Sequence, residues 1–452
     1  MTNGTIPARP RVLLKAIGCR LNEAELEAWA DSFRDRGFEI AGDDQSADLV
    51  VVNTCAVTQE AARKSRQWLR HAQRANPAAR LVVSGCLVSL EAAALAREHG
   101  ADLLVDNQDK DRLVEIAADA LDLPLPLSPV AIGDRGGSAS PLFARGRQRA
   151  FIKVQDGCRY ACTFCVTTRA RGPERSRPLP EIIAAINRLV GEGIREVSLT
   201  GVHLGGYGDD LGLDLVELVR AVLAQTQVPR LRLGSLEPWD LPDGFWGLFA
   251  DARLLPHLHL PMQSGCDAVL RRMARRCKSA EFACLAERGR ATVPGLNLTT
   301  DIIAGFPGET AAEWQETMAF VALVGFGQVH CFGYSPRPGT RAASLPGPVD
   351  TVTKRQRVSE LKALAQCLRH GVLQTEVGRH AQVLREETPR TGRLSDLFGY
   401  SSNYLPVFVD PHPGAAAVGE ILNVTIRGIE PDGTALRGHL TGPAFEQVAS
   451  DS

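Results

Sequence analysis

Between residues 11 and 122 short apolar runs alternate with segments of helical period, and this alternation limits the possible folds more than any other feature of the chain. The runs VLLKAI, LVVVN, LVVSG and ADLLV begin at Val12, Leu49, Leu81 and Ala101. Residues 23–36 separate the first two, with Leu26, Trp29 and Phe33 on one helical face and Asn22 placed to cap the start. Strands that are apolar on both faces need cover on both faces. A parallel sheet with helices on each side is therefore expected for residues 11–122. Residues 123–148 are rich in Pro, Gly and Ser and read as a linker.

The alternation resumes over 149–375. Six strand candidates follow one another: Phe151–Val154, Glu196–Leu199, Leu231–Leu233, His257–Leu260, Leu298–Ile303 and Gln328–Phe332. Helical patterns at 181–190 and 311–324 lie between them, the second opened by the capping-box sequence Thr310-Ala-Ala-Glu313. Six such units predict a partial (β/α)6 barrel with its reactive groups on the loops after the strands. Residues 376–445 turn all-β, with HAQVLRE, YLPVFVD, EILNVTIRGI and TALRGHLT separated by Gly, Pro and Asn, as in a small β-barrel. The expected fold class is α/β, and several domains suit a length of 452 residues.

The first ten residues lack the apolar centre of a signal peptide, and no apolar run is long enough to span a membrane. A cytoplasmic, reducing setting is expected, in which eleven cysteines are ligands or buried thiols rather than disulfides. Cys158-x3-Cys162-x2-Cys165 has the spacing of an iron–sulfur or zinc site. A structural zinc site needs a fourth ligand nearby, and the next cysteine and histidine are Cys266 and His203. Three thiolates on a four-iron cluster instead leave one iron open to substrate. The triad follows the first strand of the predicted barrel, at the end where such folds keep their chemistry. Thr200–His203, Gly234–Pro238, Gln263–Gly265, Asp301–Glu309 and Tyr334–Arg337 follow the other strands and line the same rim.

Cys19, Cys55 and Cys86 each stand directly after an apolar run: KAIGC, VVNTC and VVSGC. Loops at the carboxyl ends of parallel strands meet in one crevice, so the three thiols are expected to converge on a second metal site. Cys266, Cys277, Cys284, Cys331 and Cys367 have no ligand-like spacing and read as packing residues. His257 and His259 alternate within one strand and read as satisfied polar side chains.

Cys158, Cys162 and Cys165, with Phe164 before the last, resemble the signature of the radical S-adenosylmethionine (SAM) enzymes. The three-plus-three cysteine layout resembles the methylthiotransferases among them. Gly18-Cys-Arg-Leu-Asn22 and Asn53-Thr-Cys-Ala-Val57 are similar to their N-terminal domain. LPMQSG, TDIIAGFPGET and YSPRPGT are similar to their central domain, and the tail to their small RNA-binding barrel of the TRAM type. The match spans nearly the whole chain. GCRLNEAE, NTCAVTQEAARKSRQ and FIKVQDGC most resemble the branch acting on N6-threonylcarbamoyladenosine in tRNA. One departure follows Cys165, where many relatives have Ile-Pro-Tyr and this chain has Thr167-Thr168-Arg169.

The resemblance implies two 4Fe-4S clusters as cofactors, together with SAM. One cluster, on Cys158, Cys162 and Cys165, would cleave SAM reductively. The other, on Cys19, Cys55 and Cys86, would carry the sulfur that is methylated and delivered to adenine C2. Phe164 would lie near the adenine of SAM, and Ser235, Glu237, Gln263 and Asp301 would hold that ligand. Implied partners are the tRNA anticodon loop, an electron donor such as a flavodoxin or ferredoxin, and a sulfur source, with no membrane. Alternative substrates within the family are N6-isopentenyladenosine in tRNA and an aspartate of a ribosomal protein. A non-catalytic alternative is an RNA-binding iron–sulfur protein. The formal net charge is −1, so RNA contact must come from local charge. Residues 145–177 supply Arg145, Arg147, Arg149, Lys153, Arg159, Arg169, Arg171, Arg175 and Arg177 against Asp156 and Glu174. Arg271, Arg272, Arg275 and Arg276 form a second basic stretch, which reads equally as a solvated face.

Overall fold

A computed structural model describes residues 9–42, 45–121, 148–389, 396–411 and 417–441. The expected linker at 123–148 lies outside these residues except for Gln148, as do Arg145 and Arg147. Two compact units are distinguishable. The first is built on the described part of Met1–Leu142 with Asp156–Ala161 and Cys165–Glu174; the second comprises the rest.

In the first unit the strands are β1 (Arg11–Ala16), β2 (Glu39–Ile40), β3 (Leu49–Thr54), β4 (Arg80–Gly85) and β5 (Leu103–Val105). They form one parallel sheet in the order β2-β1-β3-β4-β5. The helices are α1 (Arg20–Asp35), α2 (Gln59–Ala75), α3 (Cys86–His99), α4 (Leu113–Ala120) and the short α5 (Thr167–Arg171). Every residue of β3 is buried, because its alternate side chains enter two different cores. Val50 and Val52 pack with Ala62, Leu69, Leu87 and Leu95 of α2 and α3. Leu49 and Val51 pack with Trp29, Phe33 and Leu113 of α1 and α4. Helix α1 starts earlier than its pattern suggested: Cys19 is the N-cap. Asn22 lies in the first turn, fully buried, and its amide bonds the carbonyls of Ile17 (2.8 Å) and Thr54 (3.2 Å).

In the second unit six parallel strands carry the expected barrel: β6 (Arg149–Lys153), β9 (Glu196–Thr200), β10 (Arg230–Leu233), β11 (His257–His259), β12 (Asn297–Ala304) and β13 (Gln328–Gly333). They pair as β10-β9-β6 and β11-β12-β13, and the bridge Ser235–His259 joins β10 to β11. Strands β7 (Gln155–Asp156) and β8 (Arg175–Ser176) flank the cysteine loop in sequence. Helices α6 (Leu179–Gly191), α7 (Leu215–Gln225), α8 (Asp267–Arg272), α9 (Ser279–Thr292) and α10 (Ala311–Val324) alternate with the strands. Both halves of the Thr310/Glu313 capping box are made. Val197, Leu199, Leu231 and Leu233 face the helices in a shared core.

Helix α11 (Thr351–Glu376) leads into a closed barrel of β14 (His380–Glu386), β15 (Leu397–Ser401), β16 (Pro406–Val409), β17 (Ile421–Ile429) and β18 (Leu436–Leu440). The other face of β9 and β10 is ionic. Glu196, wholly buried, accepts from Arg230 Nε (2.8 Å) and Arg232 Nε (2.9 Å). Arg230 also donates to the backbone carbonyls of Tyr400 (3.3 Å) and Ser401 (3.2 Å). Arg149 pairs with Glu386 (2.8 Å) and lies over the rings of Tyr400 and Tyr404. The small barrel is thus seated on the (β/α) domain through buried charge. No described helix is long and apolar enough to cross a membrane.

Candidate functional site

In the first unit the three separated cysteines stand at the carboxyl ends of adjacent strands β1, β3 and β4. Cys19 caps α1, Cys55 follows β3, and Cys86 opens α3. Gly18 (φ +103°) makes the approach possible: a Cβ on it would lie 2.4 Å from Cys55 Cβ and 2.6 Å from its Sγ. The thiols sense one another's charge. Burial pushes Cys55 up to about 12, with Cys19 and Cys86 adding to the rise and Arg171 opposing it. Burial likewise raises Cys19, and Arg171 offsets part of that.

Around the thiols is a buried polar shell. Arg171 donates to Glu25 Oε1 (2.9 Å), Asp156 Oδ1 (2.9 Å) and Asn22 Oδ1 (3.0 Å). Lys110 Nζ meets the other oxygen of Glu25 at 2.6 Å. Cys19 Sγ lies 3.7 Å from Asn22 Oδ1, and Asn107 Nδ2 lies 3.7 Å from Cys86 Sγ. Two cations and two carboxylates balance, and the arginine charge is felt at all three sulfurs. Such a pocket disfavours free thiolates through burial, yet offers three soft ligands over a charge-balanced polar shell whose nearest cation is Arg171. That combination suits a metal cluster, which compensates the thiolates when it binds.

Cys158, Cys162 and Cys165 lie on one loop after β7. Gly157 (φ +75°) opens it, where a Cβ would stand 1.9 Å from the Pro173 carbonyl oxygen. Each sulfur receives an N–H: Tyr160 N to Cys158 (3.4 Å), Arg275 Nη1 to Cys162 (3.8 Å) and Thr167 N to Cys165 (3.3 Å). N–H donors favour the ionised form of sulfur, so the donor set fits an iron–sulfur cluster as well. Thr168, at the departure from the family pattern, lies in α5 and donates its hydroxyl to Tyr160 O (2.8 Å), tying the loop together.

The expected SAM contacts fall on the second unit. Phe164 packs against Cys266, Met273 and Phe306. Ser235 and Glu237 lie just beyond β10, and Glu237 is held by Arg275 Nη2 at 2.7 Å. Gln263 (φ +74°) exchanges backbone bonds with Asp301 O and Ile303 N. Asp301 lies on β12, 3.4 Å from His259 Nε2. His259, Asp301 and His330 bring ligand-type atoms within 4.8 Å of one another. His257 and His259 both meet the Thr299 hydroxyl.

The basic stretches do not behave as a uniform RNA-facing surface. Arg149 and Arg171 are buried in ion pairs. In the second stretch α8 stops at Arg272, which pairs with Glu313, and the Arg275 side chain is buried over the Trp239 ring, 4.2 Å from its centroid. Burial alone would lower the Arg275 pKa, but Glu237 and Cys162 raise it, so the group stays cationic beside the sulfur. The buried roles of Arg275, Trp239, Glu25 and Lys110 carry no mark in the sequence. A cation in a basic run is written the same way whether it ends in water or in the interior.

Residues 11–106 match the family described as Uncharacterized protein family UPF0004, and residues 152–321 match the Radical SAM superfamily. Threonylcarbamoyladenosine tRNA methylthiotransferase MtaB of Bacillus subtilis (strain 168) is 34% identical, over 88% of this chain and 89% of its own. The protein of that name from Thermotoga maritima is 33% identical, over 93% and 95%. A tRNA-2-methylthio-N(6)-dimethylallyladenosine synthase from Novosphingobium aromaticivorans is also 33% identical, over 94% and 96%. Among solved structures, the radical S-adenosylmethionine methyltransferase TsrM from Kitasatospora setae shares the fold, with a TM-score of 0.56, 18% identity and coverage of 74% of this chain and 77% of that one.

Proposed function

Because the chain belongs to the radical SAM methylthiotransferase family, we propose that it methylthiolates C2 of N6-threonylcarbamoyladenosine next to the anticodon of tRNA. The observation that carries the reading is the pair of three-cysteine sites. In one, three thiols at the ends of adjacent strands, Cys55 and Cys86 buried and Cys19 exposed, gather around Arg171; in the other, every sulfur receives an N–H. Cys158, Cys162 and Cys165 would hold a cluster that would supply the electron for reductive cleavage of SAM, and Cys19, Cys55 and Cys86 would hold one that would supply the sulfur to be methylated.

The chain's own groups hold and shield these parts. Arg275 fixes Glu237, one of the candidates for holding SAM, beside Cys162. Phe164 offers an apolar surface to the adenine, and Gln263 and Asp301 offer polar contacts to the rest of the ligand. Arg171 and Lys110 hold positive charge under the sulfur-bearing site, in a setting that excludes water. A flavodoxin or ferredoxin would supply electrons, a separate source would supply sulfur, and the reaction would take place in the cytoplasm.

The two relatives named for threonylcarbamoyladenosine support this substrate, and the one named for dimethylallyladenosine supports the isopentenyl-type alternative. Nucleosides from tRNA of a deletion strain, separated and weighed, distinguish them. The 2-methylthio form of threonylcarbamoyladenosine should vanish and return on complementation. Loss of the dimethylallyl derivative instead selects the alternative. An unchanged nucleoside profile with a mass loss in a ribosomal protein would overturn both.

A further inference from the structure

Along one side of the second unit, helix α11 lies over β13, the last strand of the (β/α) sheet, and a furrow opens between them. Its wider part has a volume of about 510 Å³ and is walled by Gly333 at the end of β13 and by Lys354, Arg355, Ser359 and Lys362 of α11. A narrower part of about 190 Å³ continues from Lys362 to Arg369. Among the described residues, no acidic side chain lines either part.

The charge asymmetry is built into the helix. Arg357 turns inward to Glu309 at 2.6 Å, and Arg369 donates to the Thr434 carbonyl at 2.8 Å. Glu360, the acid nearest the furrow in sequence, accepts from the Trp314 indole and the Gln356 amide, off the furrow. Lys354, Arg355 and Lys362 remain, three cations along one concave face. The stem of Lys354 is laid over Gly305, whose absent Cβ would lie 2.2 Å from Lys354 Cγ, so the head is delivered at the rim of the strand ends. On the opposite face of β13, Phe332 is 43% exposed, an unusual exposure for a large aromatic side chain.

We propose that the furrow between β13 and α11 grips the phosphate backbone of the RNA substrate. Lys354, Arg355 and Lys362 neutralise consecutive phosphates outside the rim, while Gly333, with no side chain, lets the strand cross the sheet edge. Phe332 then offers its ring to the base that enters from that side. The inference rests on the RNA reading of the preceding subsection. It assigns a backbone contact to α11, beyond the arginine-rich segment 145–177, two of whose cations are buried in ion pairs.

The test uses the full-length reconstituted protein and an anticodon stem-loop RNA, with affinity measured by fluorescence anisotropy at several salt concentrations. In the variant Lys354→Gln/Arg355→Gln/Lys362→Gln, the slope of log affinity against log salt should fall by about 2 to 3, at about 0.7 to 0.9 for each phosphate no longer neutralised. Release of 5′-deoxyadenosine from SAM without RNA should be unchanged, and the control Arg220→Gln/Arg288→Gln should keep the parent slope. An unaltered slope in the triple variant overturns the proposal. So does retained RNA affinity with lost reduction by an acidic electron-transfer protein, since the furrow would then dock that protein. If the parent protein binds no RNA while still cleaving SAM, the RNA reading itself has failed.

Discussion

Replacing Arg171 by methionine should destabilise the N-terminal unit more than any surface substitution. Its guanidinium is 2% exposed and donates to two carboxylates, Glu25 (1% exposed) and Asp156 (5%), while Lys110 (0%) supplies the second positive charge of the group. The parent quartet is neutral. Arg171→Met leaves two buried carboxylates against one ammonium, and an uncompensated buried charge costs about 3 to 5 kcal/mol. Since about 1.4 kcal/mol is tenfold, amide exchange of Leu49–Thr54 in iron-free protein should quicken by two to four orders of magnitude, provided those amides exchange by unfolding of the unit. Adding Asp156→Asn restores neutrality around the Glu25–Lys110 pair, so the double variant should recover about 0.5 to 3 kcal/mol relative to the sum of the single changes. Exchange rates unchanged by Arg171→Met, or a double variant no better than additive, would refute the charge-balance argument.

Further expectations concern the metal sites and acid stability. Gly18→Ala forces a Cβ into Cys55 at a backbone angle that side chains avoid, so anaerobic reconstitution should give about four irons instead of about eight, with SAM cleavage retained. Cys162→Ala should give the reverse: about half the iron, all on the N-terminal unit, and no 5′-deoxyadenosine. The seat of the small barrel should weaken in two stages as pH falls. Burial, aided by Arg232, holds His257, whose ring packs against Tyr404 of the barrel, well below 6.5, so below about pH 6.5 the unfolded chain takes up a proton that the folded state refuses. Burial pushes Glu196 up, but Arg232, Arg230 and Arg149 together hold it well below 4.5, so its contribution is complete above about pH 4.5 and is lost as pH falls further. A urea midpoint that stays flat from pH 7 to 5, followed by exchange in β14–β18, would contradict the first stage.

The parallel sheet, and the place of Cys19, Cys55 and Cys86 directly after its strands, were legible because backbone periodicity marks buried strands. A thiol written directly after a buried parallel strand has one place to go, and Cys19, Cys55 and Cys86 each meet that condition. The strands of the (β/α) domain were legible within a residue or two for the same reason. The charged interior was not. Arg171 meets Glu25 across 146 positions of sequence, and Arg275 meets Cys162 across 113. Nothing local separates them from neighbours such as Arg169 and Arg276, which are exposed. Asn22 looked like a helix cap because Asn commonly is one, but its amide is engaged by two carbonyls from strand ends. β15 (Leu397–Ser401) went unread because LFGYS is short and carries a central glycine, which a Cβ would drive into Leu384 O at 2.1 Å.

Arg230 anchors the C-terminal barrel by main-chain oxygens of Tyr400 and Ser401, and every amino acid carries such an oxygen. Substitutions along that turn can therefore accumulate without loosening the anchor. A lineage is free to retailor the outward surface of the module while its bearing on the (β/α) domain stays put.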